Sequence, residues 1–585
     1  MSNAAPLPAV WPELAEGDGG DAVVAALAAA GVEFVFFTSG SEICFYQESI
    51  AKARACGRPS PRLITMTHEH ASLNAALGYA AVSGRPAVTA AHVDAGTLHH
   101  GGAIHNAMHA GLPVLMTAGF PPTTYAGSSA AARNAGGHLW LQETFDQHSV
   151  VRQYVKWDRR LQAHDNPALV VSRALQVAMS EPCGPVYLSI PPEVAMQGHD
   201  VTRFPTAAQL GVSRPGAPDP EGAREIARRL LTARNPRIVV GGSGRNPAAV
   251  PALVSLCSLL GIGVVHAATR RYLSFPFDHP LMMGEGDLAD ADVVLVLDSD
   301  VPWVPGRSAP PDTAWTAVVA LDPVLGKLPT YEFGADLRLA ADPLLALRAI
   351  ESEAATLLSG DDRARIAARA ADIGRRTAAR REAIVQEAKS AAGRTPIDPL
   401  WLSYQVATLV HEDAIVIDDS LPHNRLYEFL GCRRPGSWFY TPGTSGGWAP
   451  GAAFGAKLAA PERDVIAVTG DGFYMFGTAN AALWAATHYK APYLTVIYQN
   501  RSYGTGTRRL AQQYPGGYAQ RSGFDGGYFD PPIDFAREAE AAGAYGENVR
   551  DPAQLADALR RGLEHTRSGR PAVIAVWLAR HLQDD

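Results

Sequence analysis

Cysteine is scarce: this chain of 585 residues has five, Cys44, Cys56, Cys183, Cys257 and Cys432. They share no short spacing, which excludes a disulfide-stapled scaffold and reads as reduced thiols. Long apolar runs are also missing. Residues 22–37 come nearest and are broken by Gly31 and Glu33, short of the roughly 18 apolar residues of a membrane-spanning helix. Nor does charge of one sign dominate. Lys and Arg number 51 and Asp and Glu 58, interspersed, for a net charge of −7, so nucleic acid and anionic membranes are not expected partners. The first residues lack a basic stretch leading into an apolar core, so 1–20 is expected to be a disordered leader and the protein a cytoplasmic enzyme.

What is present is alternation. The length exceeds a single core and predicts roughly three to four domains. Strand-like apolar runs at 32–37, 63–67, 87–91, 113–118 and 186–190 alternate with helix-like stretches. The first of these begins at Asp21 and ends at Gly31, a C-cap residue. Such alternation predicts a parallel sheet covered on both faces, here a first α/β domain over 21–195. A Pro, Gly and Ser-rich linker at 204–219 leads to a second α/β unit over 215–352, with strands at 237–240, 263–266, 292–297 and 316–321. Its loop GGSGRN is a weak nucleotide-loop signal, because Gly-rich turns are common without any ligand. The Arg-rich segment within 353–394 is expected to be a solvated helical connector, and 395–585 a third α/β domain.

The most informative stretch is 464–504, DVIAVTGDGFYMFGTANAALWAATHYKAPYLTVIYQNRSYG. Apolar runs at 465–469 and 493–498 flanking a helix-like 478–487 predict a β-α-β unit. Parallel strands end on one sheet edge, where open α/β sheets bind ligands, so Asp471 and Asn500 are expected to meet there. Their oxygens are hard donors suited to a small divalent cation that also holds phosphate. Gly470 and Gly472 allow close backbone approach. The alternative is that both polar residues cap helices or turns. Gly17-Asp18-Gly19 repeats the tripeptide in a polar segment with no strand predicted before it, so strand context and the distant Asn carry the reading.

This segment resembles the diphosphate motif of thiamine diphosphate (ThDP) enzymes: GDG, a helix, then a strand ending in Asn-Asn, here Gln499-Asn500. The resemblance implies that Asp471, Asn500 and the Ser502 carbonyl hold Mg²⁺. It further implies cofactor contacts from Gly470, Gly472, Phe473, Tyr503, Gly504, Ser420, Gly443, Thr444, Ser445, Gly446 and Trp448. Gly446 falls where the family carries an apolar wedge beneath the cofactor, and Met475, Phe476 and Trp448 are candidates to replace it. A second stretch, LITMTHEHASLNAALGYAAVSGRPAV at 63–88, is similar to the pyrimidine-binding helix of the same family. It implies that Glu69 bonds N1′ of the aminopyrimidine, a proton-shuttling role that burial would favour. The bland alternative is an acid at a helix N-terminus.

HVDAGTLHHGGAIHN at 92–106 resembles benzoylformate decarboxylases more than the Gly-Pro-Gly of acetolactate synthases, implying proton transfer by His92. His70 is a second candidate; His99, His100, His105 and His109 are expected to be structural. HEH and HH lack the spacing of a zinc site. Gly40-Ser41 resembles the Gly-Ser of benzoylformate decarboxylase, implying contact with a substrate carboxylate, while Ser41 equally suits a helix cap. Gln142 stands where acetolactate synthases and benzaldehyde lyase carry a Gln near the thiazolium.

The resemblance covers 21–582 and is to the acetolactate synthase and benzoylformate decarboxylase group. It implies ThDP- and Mg²⁺-dependent cleavage or formation of a carbon–carbon bond on a 2-oxo acid or carbonyl substrate. It also implies a homodimer or homotetramer with active sites between subunits. A 2-hydroxyacyl-CoA lyase is the main alternative, with Arg508 and Arg509 near an anionic tail; a non-catalytic subunit is the distant one. FAD is not expected, because VLDSDVPWVPG does not look like a flavin-binding segment.

Overall fold

The computed structural model describes residues 10–126, 131–421 and 424–580. Residues 1–9 of the expected leader, and Leu582 at the end of the resemblance, lie outside them. β1 (Glu13–Asp18) comes first. β2 (Phe34–Phe37), β3 (Arg62–Thr65), β4 (Ala87–Ala91), β5 (Val114–Gly119), β6 (Trp157–Arg160) and β7 (Val186–Ile190) form a parallel sheet ordered β3-β2-β4-β5-β7-β6. β8 (Gly198–Arg203) then pairs antiparallel with β1. The second parallel sheet contains β9 (Pro236–Val240), β10 (Gly263–His266), β11 (Met282–Glu285), β12 (Val293–Leu297), β13 (Trp315–Ala320) and β14 (Leu337–Ala340), ordered β11-β10-β9-β12-β13-β14. The third contains β15 (Ile415–Asp419), β16 (Trp438–Tyr440), β17 (Val465–Gly470), β18 (Leu494–Gln499), β19 (Tyr545–Val549) and β20 (Ala572–Trp577), ordered β16-β15-β17-β18-β20-β19. The central strands are buried along their whole length, which is why they read as continuous apolar runs.

Two expectations are corrected. Within the supposed leader, β1 is an ordered strand, and the Gly17-Asp18-Gly19 tripeptide spans its end and the start of the next helix. Asp18 caps the Gly19–Ala29 helix, accepting from the Asp21 N–H in a capping box; alternation of short polar and apolar residues at an edge carries too little signal to predict such a strand. The Arg-rich segment is not simply a solvated connector. Its helix, Gly360–Ser390, buries Ile366, Ile373, Thr377, Ile384 and Ala388 along one stripe. Arg365 and Arg369 donate to the carbonyls of Leu231, Ala233 and Gly261, and Arg381 to that of Phe277. These guanidinium groups bond helix ends and loops of the second unit, so their charge marks a clamp.

The first and third sheets share a core. The Glu69–Ser83 helix lies against the Trp448–Ala459 helix with almost no side chain between them. A Cβ added to Gly78 would fall 2.6 Å from the Ala452 Cα, and one on Gly451 2.7 Å from the Ala71 carbonyl oxygen. Phe36, Tyr79, Trp448 and Phe454 are buried in the same cluster, with Phe36 and Phe454 edge to face at 6.5 Å. This seam fixes the first turn of the Glu69 helix against the third domain.

Candidate active site

At the third sheet, β17 and β18 are adjacent and Gly470 pairs with Tyr498, so the residues after both strands emerge together. Asp471 is buried, with Oδ1 accepting from the Gly472 N–H at 2.8 Å and Oδ2 from the Arg501 N–H at 2.5 Å. Asn500 Oδ1 accepts from the Ser502 N–H at 3.0 Å and its hydroxyl at 3.1 Å. Burial pushes the Asp471 carboxyl up to about 7, against the backbone N–H groups that hold it down. A cavity of about 280 Å³ opens here, lined by Gly470, Asp471, Gly472, Phe473, Asn500, Ser502, Tyr503 and Gly504. The β-α-β reading therefore brings these eight residues to one wall.

Other expected cofactor residues sit differently. Gln499, in place of the first Asn, donates to the Ile533 carbonyl at 2.9 Å. Ser420 is buried, its hydroxyl donating to Asp418 at 2.7 Å, and its neighbour Leu421 reaches the cavity instead. Gly443, Thr444 and Ser445 pack on the first domain of the same chain: Thr444 bonds His105 at 3.0 Å, and Asn106 donates to the Ser445 carbonyl at 2.9 Å. Gly446 lies under the Phe473 ring, whose Cγ would be 2.6 Å from an added Cβ. Of the wedge candidates, Trp448 is buried at the start of its helix, whereas Met475 and Phe476 are exposed. Phe476 stacks on Tyr503 at 6.1 Å, and both line the cavity. Arg508 lines it too, and Arg509 does not.

In the first domain, the order of strand addition reverses between the parallel neighbours β2 and β4, the crevice position where open sheets bind ligands. Glu69 starts its helix, buried, with Oε2 3.4 Å from His99 Nδ1. His92 follows β4 and lies so close to Gly40 that a Cβ there would meet its ring at 2.5 Å. His92 and Glu69 come together around Gly96: a Cβ on that residue would be 3.1 Å from His92 Cβ and 3.2 Å from Glu69 Oε1. At the centre lies Glu42, which no sequence motif assigns to the site. Its Oε2 accepts from His92 Nε2 at 2.5 Å and from Ser41 Oγ at 3.0 Å, and its Oε1 accepts from the Gln142 side-chain amide. Ser41 does not cap the following helix; its hydroxyl is engaged by Glu42. Hydrogen bonding to Glu42 raises the His92 pKa over the opposing effect of burial. Burial disfavours charge on Glu42, but its hydrogen bonds from His92 and Gln142 carry the carboxyl below its ordinary range. His70 stands apart: burial takes it down to about 4, and Nδ1 meets the Asn74 amide at 3.3 Å. It is neutral at neutral pH. Glu69 does not line the Asp471 cavity within one chain.

The loop at 241–246 borders a separate cavity of about 230 Å³, where Arg245 pairs with Glu181 at 2.7 Å and Arg271 with Asp300 at 2.9 Å. Among the described residues, no cluster of three His, Cys, Asp or Glu fit for a metal exists, and no helix is long and apolar enough to cross a membrane.

Residues 17–150 match the family described as thiamine pyrophosphate enzyme, N-terminal TPP binding domain, and residues 423–576 match its C-terminal TPP binding domain. The chain belongs to the thiamine diphosphate-dependent enzymes. A benzoylformate decarboxylase of Pseudomonas aeruginosa is 29% identical to this ThDP enzyme over 453 residues, covering 76% of this chain and 80% of that one. A probable acetolactate synthase of Mycobacterium bovis is 27% identical over 571 residues, covering 94% of each. The fold matches that of a Rhodococcus jostii ThDP-dependent 4-hydroxybenzoylformate decarboxylase with a TM-score of 0.75 at 22% identity, covering 96% of this chain and 99% of that one. The residues present fit the cofactor. Asp471 is a buried carboxylate in need of positive charge, and an added Cβ on Gly470 would meet nothing within 4 Å, leaving room for a diphosphate beside it.

Proposed function

We propose that this enzyme, with ThDP and Mg²⁺, breaks a carbon–carbon bond of a 2-oxo acid by decarboxylation, with release of an aldehyde or transfer to a second carbonyl. The observation that carries this reading is the grouping of Glu69, His92 and Glu42 at the first sheet's crevice: one acid beside an imidazole whose charged form a second acid favours. When bound, ThDP supplies the electron sink for the pair left on carbon as CO2 departs. The side-chain oxygens of Asp471 and Asn500 and the Ser502 carbonyl would hold Mg²⁺, and Gly470 and Gly472 would leave their backbone open to the diphosphate. Glu69 would hold a proton at the pyrimidine edge. His92 would offer one to the substrate, a transfer worth typically about 10²–10⁴-fold in rate. The names of relatives that decarboxylate benzoylformate and 2-ketoarginine support a 2-oxo acid substrate.

Because Glu69 and Asp471 do not share a cavity within one chain, the complete site is proposed to form between two copies, in a homodimer or homotetramer. Exposed apolar side chains flank each half: Trp140 and Leu141 beside Gln142, and Met475, Phe476 and Tyr503 beside Asp471. Such patches mark interaction surfaces. The test is calorimetric titration with ThDP and Mg²⁺, followed by a panel of 2-oxo acids, aldehydes and acyl-CoAs monitored for CO2 and ketol. Tight cofactor binding with no 2-oxo acid turned over would reject the substrate class, and cleavage of a hydroxyacyl-CoA would favour the lyase, for which Arg508 on the cavity wall is the supporting observation.

A further inference from the structure

Glu42 joins three segments that the chain keeps far apart. Ser41 belongs to the turn after β2, His92 follows β4, and Gln142 lies in an irregular stretch before β6. All three direct a donor at the one carboxylate. The stretch bearing Gln142 is itself held, since Arg133 pairs with Glu143 and lies over the Trp140 ring at 5.7 Å. Gly119, at the end of β5, leaves space for Glu42: a Cβ there would be 2.6 Å from Glu42 Cβ. A carboxylate this buried is costly unless its lone pairs are satisfied, and here three neutral or cationic donors satisfy it.

Resting on the proposed function, we propose that Glu42 is a positioning residue that acts through His92, binding its Nε2–H so that Nδ1 is the nitrogen presented to substrate. His92 Nδ1 makes no hydrogen bond among the described residues, and the side chain is 28% exposed. In the imidazolium form, Nδ1–H gives its proton to the substrate and Nε2–H stays on Glu42. Solvent then restores the proton to Nδ1. The same bond fixes the ring plane, because rotation about the Cβ–Cγ bond would break it. Ser41 and Gln142 brace the carboxylate, and the Ser41 hydroxyl is left to accept from substrate rather than donate to it. The other charged groups that act on His92 are Asp94, at the start of the short Asp94–His99 helix that follows it, and Glu69, at the start of its own helix. His99 is paired with Glu69 rather than with His92. Of these, Glu42 alone bonds the ring.

The test is the titration and tautomer of His92 by NMR on the full-length protein labelled with ¹⁵N and ¹³C in histidine, before cofactor is added. Its signals are assigned by their loss in His92→Gln. In the wild type, His92 should titrate above the ordinary value near 6.5 and, when neutral, carry its proton on Nε2. Glu42→Gln should lower the titration by about one pH unit or more, as loss of a contacting opposite charge does, and Glu42→Asp should restore part of it. In holoenzyme turning over the best 2-oxo acid of the panel, the pH at which kcat/KM falls should move down with it in Glu42→Gln. A merely structural role would lower stability without moving these values. A wild-type His92 that titrates at or below 6.5, or that holds its neutral proton on Nδ1, overturns the proposal even if the Glu42 variants fail to fold. An unchanged His92 in a folded Glu42→Gln overturns it too. Failure to bind ThDP would instead strike the proposed function and leave the His92 result standing.

Discussion

Substituting Gly78 by alanine tests the seam on which the site is built. In a helix interior alanine is favoured over glycine by about 1 kcal/mol, so propensity alone predicts stabilisation. The structure predicts the reverse. The new Cβ would lie 2.6 Å from the Ala452 Cα, whereas carbons rest about 3.5–4.0 Å apart. The atom it meets is backbone, which cannot rotate away as a side-chain tip can. The two helices must therefore separate by roughly 1 Å, loosening contacts around Phe454 and Tyr79. Overpacking costs about 1–3 kcal/mol or more, and contact with unyielding backbone places this case in the upper part of that range, so net destabilisation of about 1–2 kcal/mol is expected after the propensity gain. At about 2–4 °C per kcal/mol for a unit of roughly 150–250 residues, differential scanning calorimetry should show the first transition about 2–8 °C lower. Gly360→Ala is the control, because an added Cβ there meets nothing within 4 Å, and it should be neutral. A Tm for Gly78→Ala equal to or above that of wild type would refute the close approach of these helices.

Glu69→Gln should retain ThDP binding and the fold while lowering turnover by at least about 10²-fold, the lower end for a lost acid–base group; wild-type turnover would reject its assigned role. Asp471→Asn should weaken Mg²⁺-dependent ThDP binding by more than the roughly 10–100-fold that outer-shell changes cost, read by calorimetry, and an unchanged Kd would remove it from the metal site. Gly446→Ala should push the Phe473 ring, now 2.6 Å from the added Cβ at Cγ, towards the cavity and raise the ThDP Kd, with unaltered affinity counting against that contact. Burial holds His70 and His100 near 4, below the unfolded value of about 6.5. The unfolded chain therefore binds more protons between these values, and the stability present above pH 6.5 is lost as pH falls, by up to about 1.4 kcal/mol per unit and histidine. His100→Leu should accordingly lose less Tm between pH 6.5 and 5 than wild type, and parallel curves would show that this histidine does not contribute.

Much of this architecture was legible in the chain alone. Fully buried strands such as β4, β12 and β18 are runs dominated by β-branched and apolar residues, and each records its own burial. The 464–504 stretch predicted the shared edge of Asp471 and Asn500 because parallel pairing leaves a β-α-β unit little topological freedom. The Gly360–Ser390 helix was harder to read, because an arginine that bonds a carbonyl of another unit looks in sequence like one facing water. Edge strand β1 was missed because its partner, β8, lies nearly two hundred residues away.

Local pattern thus determined the three α/β sheets and the motifs that belong to one β-α-β unit or one helix. Only the tertiary structure decided that Ser41, His92 and Gln142 converge on Glu42, since residue spacing does not encode strand order beyond a single β-α-β unit. It also decided that residues 443–445 pack on the first domain, and that Glu69 and Asp471 do not share a cavity within one chain. Periodicity reports the burial of single elements. The meeting of side chains from distant segments depends on sheet order and on the close backbone contacts that glycines such as Gly78 and Gly96 permit.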